Sequence, residues 1–180
     1  FYRLSPIREN LLAWYPFEKD ASVLEIGSGC GAVTGILCKK TDCVDAVEPS
    51  EIKSKINDIR NQKNQNLHIY VCELEDLKTE KTYDYVTLIG VLEHAGRHIH
   101  TLDPYVDMLR LAKRYLKPNG KLIIAIENKF GMKYWSGARE DHTGRYFEGI
   151  AGYENTKDIR TFSKNELEEM FKEAGFGTLK

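Results

Sequence analysis

One stretch near the amino terminus limits the possible folds more than any other, the run SVLEIGSGCGAVTGILCKK at residues 22–40. Its first part, SVLEIG, is a short apolar run that stops in glycine, as a buried parallel strand does. Three glycines at positions 27, 29 and 31 then allow a tight turn that a ligand can approach without meeting a Cβ atom. The last part, GAVTGILCKK, continues as a helix. The stretch therefore predicts a strand, a tight turn and a helix.

The rest of the chain repeats this alternation. Four more strands are predicted at CVDAVEP, LHIYVCE, YDYVTLIGV and KLIIAIE. Three helices are predicted between and after them, at SEIKSKINDIRNQKN, PYVDMLRLAKRYLK and FSKNELEEMFKEAG, the last with a capping box of Ser163 and Glu166. Strands and helices that alternate in this way indicate an α/β fold with an open, doubly wound, mostly parallel sheet. In such sheets ligands bind beyond the carboxyl ends of the strands, at the switch point beside the first strand.

A further helix is predicted at residues 5–15, before the first strand. Ser5 suits its N-cap and Pro6 its first turn. Its apolar side chains are expected on one face, at Ile7, Leu11, Trp14 and Tyr15. We expect this face to pack on the sheet. The alternative is that it folds across a ligand as a lid.

Length and composition limit the classes of protein. The 180 residues, 42% of them hydrophobic, suffice for one core, so residues 1–180 are expected to form a single domain. A net charge of -1 provides no long-range field for nucleic acid or an anionic membrane. The chain shows neither a signal peptide nor an apolar run of about 18 residues, so it is expected to be cytoplasmic, without a membrane span. Its four cysteines form no C-x-x-C pair and are expected to be reduced.

The glycine turn fits two nucleotide-binding templates. Gly27, Gly29 and Ala32 match the dinucleotide pattern G-x-G-x-x-G/A. Glu25 with the three glycines of the turn matches E-x-G-x-G-x-G, the turn of class I S-adenosylmethionine-dependent methyltransferases. The turn alone does not choose between them.

Acidic residues at the next two strand ends point to a nucleoside. Glu48 ends the second strand, where a carboxylate accepts hydrogen bonds from both ribose hydroxyls. Glu73 ends the third, placed to accept from an adenine amino group, and Leu74 is expected to pack on the ring. Both candidate cofactors contain adenosine, so these residues support either.

Two longer stretches decide between the cofactors. YDYVTLIGVLEHAG, a helix and LKPNGKLIIAIEN resemble the class I methyltransferases, and the likeness extends over about Ser22 to Lys180. The closest likeness is to methyltransferase domains found with bacterial glycosyltransferases and polysaccharide biosynthesis proteins. In these a segment similar to ENKFG.KY..G..EDHTG.YF.GI..Y follows the fifth strand.

The resemblance implies a Rossmann-like class I methyltransferase fold with S-adenosylmethionine as cofactor and S-adenosylhomocysteine as product. The expected acceptor is a small or glycan-linked molecule, in the first place a sugar hydroxyl, and the expected partner is a fused or neighbouring glycosyltransferase. A final antiparallel hairpin is also implied, of which FGTLK is only the beginning. The chain, which starts at Phe, is therefore expected to be a part of a longer one.

The resemblance also assigns cofactor contacts. Glu25, Gly27, Gly29 and Gly31 would surround the methionine half, with Gly90 beside its amino acid group. Glu48 would bind the ribose, and Glu73 and Leu74 the adenine. Cys30 and Glu73 depart from the usual pattern, since small or varied residues occur at the first position and Asp is commoner at the second.

Residues 128–153 have neither a helical nor a strand period, but are rich in aromatic residues and glycine around a charged centre. Long unpatterned segments of this composition are typical of functional loops, so the segment is predicted to bind the acceptor or act as a lid. His142 and Asp141 are candidate bases or acceptor-orienting groups, and Arg139 and Arg145 are candidate anion-binding groups. The candidate stacking residues are Tyr134, Trp135 and Tyr146. The alternative is a structural flap, in which Asp141 and His142 cap a turn.

LEHAGRHIH after the fourth strand invites a metal interpretation. Its ligands have no defined fourth partner, so we expect no metal there. Methyltransferases of this type often carry a Glu-His pair after this strand, which makes Glu93 and His94 further candidate catalytic residues. His98 and His100 are expected at the surface.

Two other functions stay open at this point. A non-catalytic module would keep the fold to bind a partner or a glycan. A NAD-dependent oxidoreductase or epimerase would need a Tyr-x-x-x-Lys pair on a helix, and both matches to that spacing fall in turn-like surroundings.

Overall fold

The computed structural model describes residues 5–154, 156 and 158–177. Five strands form one sheet in the order β3-β2-β1-β4-β5. They are β1 (Ser22–Ile26), β2 (Cys43–Val47), β3 (Leu67–Tyr70), β4 (Tyr83–Ile89) and β5 (Leu116–Ala125). The pairs β1–β2, β1–β4 and β2–β3 are parallel, so the predicted α/β fold is confirmed. The expected beginning of a final hairpin, FGTLK, falls largely on residues 178–180, which lie outside the described residues.

The sheet register fixes where a ligand can lie. Ile26 at the end of β1 pairs with Val47 of β2 and with Leu88 of β4. The carboxyl ends of these three strands therefore meet at one edge. From β1 the chain runs to β2 and β3 on one side and then crosses to β4 and β5 on the other, which makes this edge the switch point of a doubly wound sheet. Val23 and Leu24 are completely buried because a parallel strand in the centre is covered on both faces.

Eight α-helices lie within the described residues. They are α1 (Asn10–Ala13), α2 (Thr34–Lys40), α3 (Glu51–Asn61), α4 (Ala95–His98), α5 (Pro104–Arg114), α6 (Met132–Trp135), α7 (Glu148–Ala151) and α8 (Lys164–Glu173). Short 3-10 turns occur at Pro6–Glu9, Leu74–Asp76 and Leu92–His94. Helix α2 begins later than predicted because the backbone at Gly31 is left-handed, with φ of 74°.

The single helix predicted at residues 5–15 is not formed. The chain forms the 3-10 turn Pro6–Glu9, capped by the Ser5 hydroxyl, and then the four residues of α1. Leu12 is its buried side chain, whereas the expected apolar face is exposed, at Ile7, Leu11 and Trp14. A 3-10 turn has three residues per turn rather than 3.6, so it shifts the angular positions of the side chains that follow.

The chain forms two compact units. The first runs to Ile89 and includes Ala112–Ile124, and it holds the sheet. The second consists of Gly90–Leu111 and the chain from Ala125 onward, including residues 128–153. All four cysteines are free thiols, as expected. Among the described residues, no helix has the length and apolar character needed to cross a membrane.

Candidate functional site

The turn after β1 depends on its three glycines. Gly27, Gly29 and Gly31 have φ of 67°, 54° and 74°, a left-handed conformation that side chains with a Cβ adopt at a cost. The Gly27 amide donates to the Val47 carbonyl oxygen at 2.8 Å, which ties the turn to the end of β2. The turn thus crosses the edge of the sheet where the strands end.

The surroundings of the glycines differ. A Cβ added to Gly31 would lie 2.7 Å from Asn61 Nδ2 and would also clash with the Asn57 side chain, both on α3. A Cβ added to Gly29 would meet only the Gly27 carbonyl oxygen among the described residues, at 4.0 Å. Packing therefore requires glycine at position 31, whereas the space beside position 29 is open to a ligand.

Glu48 lies against the turn. Its Oε2 accepts from the Gly29 amide and its Oε1 from the Ser50 amide, both at 3.0 Å. Lys53 Nζ lies 3.5 Å from Oε1. The first unit thus places an oriented carboxylate beside the open glycine, as the predicted ribose contact requires.

Glu25 lies beneath the turn. It is 2% exposed, and its Oε2 accepts from the Thr34 hydroxyl at 2.6 Å, at the start of α2. Asn57 of α3 donates to both Thr34 and Ser28 at 3.2 Å. Burial raises the pKa of Glu25 to about 8, although the hydrogen bond from Thr34 opposes the shift. The Glu25 carboxyl group therefore supports the turn from below, and its place beside the methionine half of the cofactor stays a prediction.

The remaining predicted cofactor residues lie at strand ends. Glu73 is exposed and precedes the 3-10 turn Leu74–Asp76. The Leu74 side chain is buried, and its backbone carbonyl oxygen accepts from the Tyr115 hydroxyl at 3.4 Å. Gly90 follows β4 with φ of 68°, and its amide donates to the Ala125 carbonyl oxygen at 2.8 Å.

The second unit contains a pair of a histidine and a buried carboxylate. His142 Nδ1 lies 2.8 Å from Glu140 Oε1, and Glu140 is 2% exposed. Glu140 also accepts from the backbone amides of His142 and Thr143, at 2.8 and 2.6 Å, and from the Tyr153 hydroxyl at 3.1 Å. Burial alone would raise the pKa of Glu140, but these hydrogen bonds outweigh it, so its pKa is lowered and the group is ionised.

Asp141, predicted to be a base or an acceptor-orienting group, has partners other than His142. Its Oδ2 forms an ion pair with Lys133 and accepts from the Tyr134 hydroxyl at 2.7 Å. Burial would raise the pKa of Asp141, but these contacts lower it. The carboxylate that orients His142 is Glu140, so Asp141 anchors α6 instead. Tyr134, predicted to stack on the acceptor, is buried with its hydroxyl on Asp141, and in this conformation no ring face is open for stacking.

Four other predicted acceptor residues lie at the surface. Arg139 lies over the ring of Tyr146, with 4.4 Å between its guanidinium carbon and the ring centroid, and donates to the Gly144 carbonyl oxygen at 2.9 Å. Arg145 is exposed, 3.9 Å from Glu148. Trp135 is exposed and stacks with Phe130 at 6.4 Å between centroids. These residues offer two cations and open aromatic surface.

Glu93 and His94 come together with His142. His142 Nε2 lies 3.9 Å from Glu93 Oε1, and the His94 and His142 rings meet edge to face at 5.3 Å between centroids. Glu93 is buried in the 3-10 turn Leu92–His94, and its carbonyl oxygen accepts from the Arg160 amide at 3.0 Å. Three of the four predicted catalytic residues therefore form one cluster.

Sequence reasoning missed several supporting residues. Asn57 and Thr34 stabilise the glycine turn. A chain of hydrogen bonds orients His142: Glu140 contacts it, the Tyr153 hydroxyl donates to Glu140, and the Tyr153 and Thr161 hydroxyl oxygens lie 2.6 Å apart. One signal was present for Asn57, because Asn57 and Asn61 stand four residues apart on a helix and so share a face. Glu140 precedes Asp141 directly, and no pattern distinguishes which of two adjacent carboxylates turns inward.

A parallel sheet in this order, with a left-handed glycine turn after β1 and a carboxylate at the end of β2, defines a Rossmann-like nucleoside-binding protein. Comparison with known families identifies it further. The chain belongs to the methyltransferase domain family, whose profile matches residues 1–180. It is an S-adenosylmethionine-dependent methyltransferase, which confirms the predicted enzyme class and cofactor and excludes the oxidoreductase alternative.

Individual relatives agree with the family. The ubiquinone biosynthesis O-methyltransferase of Rickettsia bellii is 28% identical over 180 residues, which cover 94% of this chain and 69% of that protein. A putative methyltransferase from Bacillus halodurans has the same fold, with a TM-score of 0.68 and 20% identity over 98% of this chain and 70% of that one. The N-methyltransferase NodS from Bradyrhizobium japonicum, solved with S-adenosylhomocysteine, has a TM-score of 0.60 and 15% identity over 72% of this chain and 65% of that one.

Proposed function

We propose that the enzyme transfers the methyl group of S-adenosylmethionine to a hydroxyl group of a small or glycan-linked acceptor. The observation that carries this proposal is the pair of His142 with the buried Glu140, with 2.8 Å between Oε1 and Nδ1. A hydroxyl acceptor has to lose a proton when its oxygen attacks the methyl carbon. A partly buried imidazole oriented by a carboxylate is suited to accept that proton.

The cofactor is proposed to lie at the glycine turn of the first unit. Gly29 leaves room for the ligand, and Glu48 offers its carboxylate to the ribose hydroxyls in exchange for its present bond to the Gly29 amide. Gly27 and Gly31 shape the turn, Glu25 supports it, and Glu73, Leu74 and Gly90 occupy the strand ends expected to border the adenine and the amino acid group.

The contact with Glu140 determines which ring nitrogen of His142 carries the proton. An ionised Glu140 accepts a hydrogen bond, so His142 Nδ1 carries the proton and Nε2 is free to accept one from the acceptor. The charge of Glu140 stabilises the imidazolium that forms. Methyl transfer is an in-line displacement with a good leaving group, so the enzyme otherwise has to align the oxygen and exclude water. Glu93, whose Oε1 lies 3.9 Å from Nε2, is a second group able to hold the acceptor proton.

We take a sugar hydroxyl as the first candidate acceptor. The exposed cations Arg139 and Arg145 suit the phosphate of an activated sugar, and Trp135 and Tyr146 are exposed rings of the kind that pack on sugar faces. The likeness to domains that accompany bacterial glycosyltransferases in polysaccharide biosynthesis agrees with this choice. A fused or neighbouring glycosyltransferase in the cytoplasm would then supply the glycan that is methylated or use the methylated sugar.

A phenolic hydroxyl is the second candidate. The relatives named as ubiquinone biosynthesis O-methyltransferases favour it, because that name implies an O-acceptor on a ring. The exposed Trp135, already stacked on Phe130, offers a flat apolar surface for an aromatic acceptor. A phenol is also more acidic than a sugar hydroxyl, so its methylation would depend less on His142.

Mass spectrometry separates these acceptors. The enzyme and S-adenosylmethionine are incubated with a panel of nucleotide sugars and dihydroxylated aromatic compounds, and each product is examined for the gain of one methyl group. We expect a nucleotide sugar to gain the methyl group and the His142→Gln variant to lose roughly 100-fold or more in kcat. His100→Gln, an exposed histidine outside the cluster, is the matched control. Equal kcat for the His142→Gln variant and the wild type on an identified acceptor would refute the role of His142 as the base.

A further inference from the structure

We propose that Glu93, His94 and His142 form a binding site for a divalent transition-metal ion of the Zn²⁺ type. One ligand atom of each residue lies within 4.8 Å of the ligand atoms of the other two. The donors are two imidazole nitrogens and one carboxylate oxygen, a set that zinc enzymes and non-haem iron enzymes use. Metal binding is a property separate from methyl transfer, and it can be measured without any acceptor.

The fold supplies the donor that the sequence did not reveal. We expected no metal because LEHAGRHIH offers no defined further partner. The structure brings His142 of the segment 128–153 to Glu93 and His94, with 3.9 Å between His142 Nε2 and Glu93 Oε1. Donors around a bound Zn²⁺ lie at about 2.0–2.2 Å from the ion, hence about 3.3 Å apart in a tetrahedral site. The donor atoms, now within 4.8 Å of one another, therefore need to approach by up to about 1.5 Å, which side-chain rotations provide.

A second layer of contacts supports the site. Histidine ligands commonly donate their other ring N–H to a carboxylate, which fixes the ring and strengthens the ligand. His142 has this arrangement, with its Nδ1 2.8 Å from Glu140 Oε1, so Nε2 is directed toward Glu93. Glu140 is held in turn by the Thr143 amide and the Tyr153 hydroxyl, at 2.6 and 3.1 Å. The backbone of Glu93 is tied to the Arg160 amide at 3.0 Å.

The charges in the cluster favour a cation. Glu93 and Glu140 are each 2% exposed, so two carboxylates lie buried around the His142 ring. Buried carboxylates are stable when a counter-charge or a metal ion neutralises them. Two imidazole donors favour Zn²⁺, Fe²⁺, Co²⁺ or Ni²⁺ over Mg²⁺ and Ca²⁺, which prefer oxygen ligands. Three protein ligands also leave at least one coordination position open, as in catalytic zinc sites.

The open position gives the ion a role that rests on the proposed function. A hydroxyl oxygen of the acceptor bound there would become more acidic, since a bound divalent ion lowers the pKa of a coordinated oxygen acid. His142 would then be a metal ligand, and the base would be another group or water. The two roles of His142 are therefore alternatives, and metal dependence distinguishes them.

Calorimetry with metal-free protein tests the site. The wild type, freed of metal with a chelator, is titrated with Zn²⁺, and Co²⁺ is added in parallel to record visible absorption bands that depend on coordination geometry. We expect one equivalent of Zn²⁺ to bind and Co²⁺ to give bands of a four- or five-coordinate site. His142→Gln and His94→Gln should each weaken the Zn²⁺ affinity at least tenfold, and Glu140→Gln by about 10–100-fold.

Two control variants separate this site from other histidines. His100→Gln removes an exposed histidine near the cluster and should keep full affinity. His68→Gln tests the group Cys43, Asp45 and His68, whose donor atoms also lie within 4.8 Å of one another. In that group Asp45 already binds Lys81 at 2.9 Å and the Tyr83 hydroxyl at 2.7 Å. We therefore expect His68→Gln to bind Zn²⁺ with the affinity of the wild type.

The outcomes are distinct. No Zn²⁺ binding to the metal-free wild type overturns the proposal, and so does binding that is lost in His68→Gln but kept in His142→Gln and His94→Gln. Binding of S-adenosylhomocysteine, measured on every sample, shows whether a variant is folded. Absence of Zn²⁺ binding together with methyl transfer that requires His142 would refute the metal site and leave the proposed function intact. Tight Zn²⁺ binding without methyl transfer would support the site and refute the proposed function.

Discussion

Gly31 and Gly29 have similar backbone conformations but different neighbours, and their replacement by alanine should separate folding from ligand binding. Alanine at either position costs about 1–2 kcal/mol for the left-handed backbone. Alanine at position 31 also meets Asn57 and Asn61, which adds about 1–3 kcal/mol of overpacking. We therefore expect Gly31→Ala to lower the free energy of unfolding more than Gly29→Ala.

Urea denaturation measures the stability difference, and calorimetry with S-adenosylhomocysteine measures affinity. Gly29→Ala should remain folded at moderate temperature and lose at least tenfold in affinity, because its new methyl group occupies the space beside the turn. Equal losses of stability in the two variants would contradict this account of the turn.

Glu25 gives a prediction about pH. Its pKa rises from an ordinary 4.5 to about 8 because it is buried. The folded protein keeps a proton that the unfolded chain releases, so the stability from the neutral carboxyl group is fully present below pH 4.5 and is lost as the pH rises through about 8. Glu25→Gln retains an acceptor for Thr34 without an ionisable group. We expect its unfolding midpoint to change less than that of the wild type between pH 6 and 9.

Urea midpoints at several pH values test this, with Glu75→Gln, an exposed glutamate, as the control. If Glu25→Gln and Glu75→Gln follow the wild type equally over this range, Glu25 does not hold its proton in the folded state.

At the residue scale, strand-end positions were predictable and contacts were not. Glu48 lies where the alternation of strands and helices put it, because the end of a strand fixes a position in the sheet. Glu140 and Asp141 are adjacent and of one charge, and only the packing of Tyr153 and Lys133 decides which carboxylate reaches His142. Such choices depend on tertiary contacts that no local pattern encodes.

Among the elements, α8 is the one whose start the sequence specifies best, and its capping box is present. The Ser163 hydroxyl accepts from the Glu166 amide, and Glu166 accepts from the Ser163 amide at 2.8 Å and from Lys129 Nζ at 2.7 Å. We expect Ser163→Ala to lower the free energy of unfolding by about 1 kcal/mol and Ser163→Thr to keep most of it. Chemical denaturation of the variants measures both. A Ser163→Thr variant as unstable as Ser163→Ala would exclude the cap as the cause.

Elements with strong burial or clear caps were predictable, and short ones were not. Four strands follow from apolar runs that stop in turns, and α8 from its cap, whereas β5 begins at Leu116, before its predicted run KLIIAIE. The predicted helix at residues 5–15 failed because Ser5 and Pro6 start a 3-10 turn as readily as an α-helix, and the turn alters which side chains face inward. The short helices α6 and α7 lie in a segment without periodicity, so no pattern predicted them.

For the whole molecule, cofactor binding and stability are linked. A ligand that binds only the folded state stabilises it by about 2.7 kcal/mol when present at 100 times its dissociation constant. S-adenosylhomocysteine should therefore raise the melting temperature, whereas NAD should not. Glu48→Gln should show a smaller rise at the same ligand concentration, because the amide replaces the charged acceptor beside Gly29.

Thermal melts monitored by circular dichroism test this, with Glu51→Gln as the control on the exposed start of α3. A rise in melting temperature that is the same for Glu48→Gln, Glu51→Gln and the wild type would remove Glu48 from the cofactor site.

The segment 128–153 is held mainly by its own polar groups and by the residues that follow it. Lys133 binds Asp141, Glu140 binds His142 and Tyr153, and Lys129 reaches Glu166. A segment that carries its own anchors can be exchanged between related enzymes, or change in evolution, without redesign of the glycine turn. With the proposed role of segment 128–153 in acceptor binding, different acceptors within such a family would require changes in this segment alone, while the methyl donor stays the same.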